Sequence, residues 1–130
     1  LDAWNGLFGG SAFTSITVSG YGITLYGSNV ELTHLNDCSS LREVVDNGCI
    51  TSVSQECLKN CIGIQKIVLG SLVGNNALGG SVTDNNVFLG ITGNIIELTI
   101  PIGLMTCNAG APDDDIAYLV ANNTVTITTV

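Results

Sequence analysis

Four of the five cysteines in this chain lie between Asn36 and Gly63, together with two of its three basic residues, Arg42 and Lys59. Crosslinks or a metal in so short a stretch would pin the backbone within narrow geometric limits, so this segment constrains the fold more than any other. On both sides of it, small polar residues alternate with aliphatic ones.

Inside the segment the local signals read as two short helices. Ser40-Leu41-Arg42-Glu43 has the form of a capping box, Leu41, Val44 and Val45 follow at i, i+3 and i+4, and Asn47-Gly48 supplies a left-handed exit. Ser52 and Gln55 repeat the box, Lys59 sits near the C-terminal end where its charge suits the helix dipole, and Gly63 stops the run. Cys57 and Cys61, four apart, would then share one helix face. In an antiparallel helical hairpin Cys38 lies opposite Cys61, which predicts a Cys38–Cys61 disulfide. Closing a loop of roughly 20 residues, such a bridge contributes about 3 kcal/mol in the chain-entropy model and offsets the marginal stability of isolated short helices.

Zinc is the competing use of these thiols. Cys57-x₃-Cys61 could form one knuckle, but Cys38 and Cys49 are too far apart to form the second, so the spacing favours disulfides. Cys107 makes the count odd. It is expected to pair with Cys49 or Cys57, leaving one thiol buried or linked to a second subunit.

A chain of 130 residues makes one domain, and only 11% of it is charged. A surface of hydroxyls, amides and backbone suits a secreted or cell-surface protein. Cysteine usage, the start at Leu1 and the sequon Asn122-Asn123-Thr124, with Asn122 as glycan acceptor, agree with export. Eleven acidic residues against three basic ones give a net charge of −8, which argues against nucleic acid as a partner. No apolar run is long enough for a membrane span, since Lys66 and Glu97 interrupt the two most hydrophobic windows.

The flanks read as strands. Residues 11–19 alternate up to Gly20, 23–26 and 30–33 follow after glycine turns, and 64–73 is a buried strand. Residues 87–91 and 96–102 form a hairpin about Thr92-Gly93-Asn94, with Pro101 marking an edge. Ile116–Val120 and 124–130 complete the set. These elements predict a mainly β domain over residues 1–130, a β-sandwich or barrel-like fold with the disulfide-clasped helical hairpin inserted at about 38–63. Asn29–Thr33 and Asn94–Thr99 resemble each other, an echo taken as repeated strand-entry chemistry and not as a solenoid period.

Chemistry-bearing residues are few. His34 has no acid or nucleophile beside it in sequence, no nucleophile elbow is present, and catalysis is not expected. Asp113, Asp114 and Asp115 are the one charge cluster; calcium is the cofactor such carboxylates would take, and full solvation is the plainer alternative. The final strand is β-branched almost throughout and lacks the lysine, proline or bulge that discourages edge pairing, and residues 1–10 carry Trp4, Leu7 and Phe8 among glycines. The sequence therefore points to an extracellular structural subunit whose partners are copies of itself. It would assemble into a fibre, pilus or sheath by strand addition, with Trp4, Leu7, Phe8, Val125 and Ile127 at the subunit contact. The alternative is a monomeric secreted protein that binds a small apolar ligand or works at an interface.

Overall fold

The computed structural model describes residues 13–130, with side chains from residue 17 onward. Among the described residues eight strands appear in chain order: β1 (Phe13–Ser19), β2 (Gly22–Gly27), β3 (Val30–Leu32), β4 (Glu43–Asp46), β5 (Ile50–Val53), β6 (Lys66–Val68), β7 (Ile95–Ile100) and β8 (Thr124–Thr129). One α-helix, α1 (Asp114–Asn122), precedes β8, and a 3-10 turn at Ile102–Met105 follows β7.

The main sheet has six strands in the order β1-β2-β4-β6-β7-β8. β1 and β2 form an antiparallel hairpin, and every later neighbour is parallel to the one before it. Parallel neighbours in sequence order mean that each connection loops round the same side and returns one strand further along. The strands that repeat this move begin at residues 22, 43, 66, 95 and 124, intervals of roughly 20–30 residues that are the size of a solenoid coil. A second side of the first three coils forms the small parallel sheet of β3 and β5, extended by the Val53–Leu78 bridge. The third side is a stack of turns: Asp37 donates its N–H to Lys59 O, Leu58 to Val87 O, and Asn60 to Leu89 O.

The core fills the inside of this three-sided stack. Ile23, Val44, Ile67 and Leu98 are in register across four strands and are fully buried; each such side chain contributes about 1.5–3 kcal/mol by leaving water. Leu35, Leu58 and Phe88 of the turn side and Ile116 and Leu119 of α1 belong to the same buried cluster.

Several expectations are overturned by this arrangement. The fold is a mixed, largely parallel sheet with one helix, not a β-sandwich or barrel. The helical hairpin at 38–63 does not form, because its donors are used elsewhere: Arg42 N–H bonds to Tyr21 O, and Glu43–Asp46 becomes β4 between two parallel partners. Residues 50–53 are β5, and beyond them Glu56 and Asn60 adopt left-handed backbone (φ 59° and 61°), which breaks any helix there. No disulfide clasps the segment; all five cysteines are free. The 87–102 hairpin is also absent, since 87–90 is a turn and β7 lies inside the sheet between β6 and β8. Pro101 therefore marks the point where the chain leaves an interior strand, not an edge. Residues 116–120 lie in α1, not in a strand. The Asn29–Thr33 and Asn94–Thr99 echo falls on β3 and β7, strands of different sheets, and the coil spacing is instead carried by the successive strands of the main sheet.

Candidate functional site

Two features stand out, an open sheet edge and a buried carboxylate pocket. The edge is β8. Thr124 N–H bonds to Asn94 O and Val130 N–H to Ile100 O, so the even-numbered residues pair with β7. A strand turns its backbone groups alternately to either side, so Val125, Ile127 and Thr129 direct their N–H and C=O groups away from β7. No strand among the described residues meets them. Val125 and Ile127 are half-buried against the core, while Thr124, Thr126 and Thr128 are exposed. Trp4, Leu7 and Phe8, the other expected contact residues, lie outside the described residues.

The outer face of the sheet carries cross-strand rows. Glu43, Lys66 and Glu97 are in register, with Lys66 between two carboxylates, and Thr24, Val45, Val68, Thr99 and Thr128 make a β-branched row beside them. Opposite charges on adjacent strands favour this register. At the strand entrances, Asn94 Nδ2 donates to Ile62 O (2.9 Å) and Ile64 O (3.0 Å), and Asn123 Nδ2 to Ile91 O (2.9 Å) and Leu119 O (3.0 Å). These amides tie consecutive coils together. Asn122, the sequon residue, is exposed at the end of α1 and donates to Tyr118 O.

The carboxylate pocket lies where residues 81–87 cross the start of α1. The structure does not bring Asp113, Asp114 and Asp115 together on one point. Asp113 is the N-cap, its Oδ1 accepting Asp115 N–H at 2.8 Å; Asp114 accepts from Asn108 Nδ2 at 2.9 Å; Asp115 Oδ1 accepts Val87 N–H at 2.8 Å. Asp113 and Asp115 are both fully buried, and the second oxygen of each has no hydrogen-bond partner. Burial pushes Asp113 up to about 6, helped by the charge of Asp114 and opposed by the Asp115 N–H. Burial likewise pushes Asp115 up to about 7, with Asp113 and Asp84 adding repulsion and the Val87 and Asn86 N–H groups opposing. Asn86 Oδ1 is buried without a partner as well. Sequence reading passed over Asn86; the signal was an amide immediately before the apolar Val87-Phe88 pair. Among the described residues, no three His, Cys, Asp or Glu side chains gather into a metal-holding group.

The thiols do not form a reactive centre. Burial pushes Cys49, Cys57 and Cys61 up to about 12, and raises Cys38 and Cys107. Cys49 Sγ donates to Leu25 O at 3.4 Å and Cys61 Sγ to Leu35 O at 3.0 Å, the behaviour of small core residues. His34 is exposed, with Nδ1 2.7 Å from Thr33 Oγ1. It shares a shallow hollow of about 380 Å³ with Cys57, Glu31 and Glu56, but a thiol held so far above neutrality is no nucleophile there.

Comparison with family models, with curated proteins and with solved structures finds no match to this chain. No helix among the described residues is long and apolar enough to cross a membrane.

Proposed function

We propose that this chain is an extracellular structural subunit that extends its six-stranded sheet by pairing with further copies of itself. The observation that carries the reading is the outer edge of β8, where Val125, Ile127 and Thr129 offer a regular row of unpaired backbone groups with no lysine, proline or bulge to blunt it. β1 holds the opposite edge of the same sheet and pairs on one side alone among the described residues. An edge at each end of one sheet suits head-to-tail addition, the heterologous kind of contact that generates fibres instead of closed dimers. Secretion fits the sparse charge and the exposed Asn122 sequon. The hollows, 310–380 Å³, are shallow and lined by polar and apolar groups in similar measure, and give no specific support to the apolar-ligand alternative.

The test is the size of the native particle and its response to Thr129→Pro. Thr129 is exposed and its N–H points away from β7, so proline there removes a donor from the free edge while leaving the β7–β8 ladder intact. Light scattering and negative-stain images are expected to show filaments or large oligomers of the unaltered protein and monomers of the variant. An unaltered protein that runs as a 13.4 kDa monomer at all concentrations would refute the reading.

A further inference from the structure

We propose that the strand docking on the free edge of β8 is β1 of the next copy, running antiparallel to it, an assignment that rests on the reading of the chain as a self-pairing subunit. The direction follows from the sheet. β2, β4, β6, β7 and β8 all run the same way and β1 runs against them, so a copy shifted along the sheet without turning presents an antiparallel β1 to β8. The free backbone groups also match. Tyr21 O accepts Arg42 N–H and Leu25 O accepts Asn47 N–H, so the odd-numbered residues of β2 serve β4, and Gly22 and Thr24 are left to bond Ser19 and Thr17. Alternation along β1 then turns the N–H and C=O groups of Ile16 and Val18 away from β2. In an antiparallel ladder the residues that exchange both bonds stand directly opposite each other, so these two meet residues of the set Val125, Ile127 and Thr129, whose groups point away from β7.

Residues opposite one another in a ladder share a face of the sheet, and here the faces agree. Val18 stands opposite Ile23 of the core row, on the inner face, yet is 51% exposed. Val125 and Ile127, on the same face, are half-buried. Setting Val18 against Val125 and Ile16 against Ile127 places all six residues of β8 against β1, with Thr17 opposite Thr126 and Ser19 opposite Thr124 on the outer face. β-Branched pairs and hydroxyl pairs are cross-strand combinations that stabilise a ladder. Neither β1 nor β8 carries a charged residue, which lets chains of net charge −8 approach along these edges. Pairing β8 with β8 of another copy would instead leave Val18 uncovered and stop at a closed dimer.

Two variants, each blunting one edge, test the pairing. Val18→Pro removes a donor from the outer edge of β1 and spares the β1–β2 ladder, as Thr129→Pro does for β8. At a concentration where the unaltered protein forms filaments, each variant alone is expected to stay monomeric. An equal mixture is expected to form heterodimers, because β8 of the first variant accepts β1 of the second and the remaining edges are blocked. Native mass spectrometry with one variant isotopically labelled reads the composition. Val18→Pro chains that still pair with one another, or a mixture that stays monomeric, overturn the proposal, while filaments of the unaltered protein keep the subunit reading intact. An unaltered protein that is monomeric throughout removes both. Should Val18→Pro fail to fold, Val18→Lys, which sets a charge at the exposed position facing Val125, gives the same readout.

Discussion

Asp115 Oδ1 accepts the backbone N–H of Val87 at 2.8 Å across 28 residues of chain, and this bond joins the loop late in the coil that starts with β6 to the helix late in the coil that starts with β7. The residue doing so is fully buried and carries a carboxyl that titrates near neutrality. Stability should therefore depend on pH in a direction opposite to that of a salt-bridged acid.

The folded-state values of Asp113 and Asp115, about 6 and about 7, lie above the ordinary 3.8, so the folded protein holds these protons more tightly than the unfolded chain. Their contribution is complete below about pH 4, declines as pH rises to about 7, and is then lost. The groups facing them are Asp84 and Asp114, with no basic side chain among the causes of either shift. The urea midpoint is expected to fall between about pH 4 and pH 7, and Asp115→Asn should flatten that fall.

Asn94 satisfies two carbonyls of the preceding coil with one amide. Asn94→Ala leaves Ile62 O and Ile64 O without their donor and should cost about 1–3 kcal/mol by chemical denaturation.

Ile67 sits in the middle of the row that runs from Ile23 to Leu98 and is fully buried. Ile67→Ala is expected to cost about 2–5 kcal/mol, because strands on both sides hold the cavity open. Val68→Ala, at a half-exposed position of the same strand, should cost less than half as much in the same urea titration.

Reductant should leave the unfolding midpoint unchanged, since no disulfide is present. A thiol reagent is expected to modify Cys107 first in the native protein and to reach Cys38, Cys49, Cys57 and Cys61 only as the chain unfolds. Mass spectrometry after timed alkylation gives the order.

Strand parity was legible wherever one face is buried: Ile23 and Leu25 face inward, as do Ile96, Leu98 and Ile100, with Glu97 and Thr99 outward. What could not be read was the partner of each strand, because a parallel neighbour lies a whole coil away and leaves no turn signature between the two. Residues 40–47 show the cost of local reading. Leu41, Val44 and Val45 fit a helical stripe, yet Val44 and Asp46 also fit a strand, and backbone bonds to β2 and β6 decide for the strand. Ile116–Val120 failed in the opposite direction. The aspartates before it were read as a charge cluster, when Asp113 is a helix cap and Asp114 and Asp115 its acidic first turn. The bare oxygens of the pocket depend on how residues 81–87 fold over α1, which no spacing along the chain encodes.

The order of strands also determines how the molecule bears tension. Because β1 and β8 hold opposite edges and every strand between them follows in chain order, a pull separating those edges runs across the strands and along the hydrogen bonds. Each ladder is then loaded as a zipper, one row at a time, and not sheared along its full length. Stretched this way, the protein would yield coil by coil at low force, lengthening in steps and rewinding from the coils that remain.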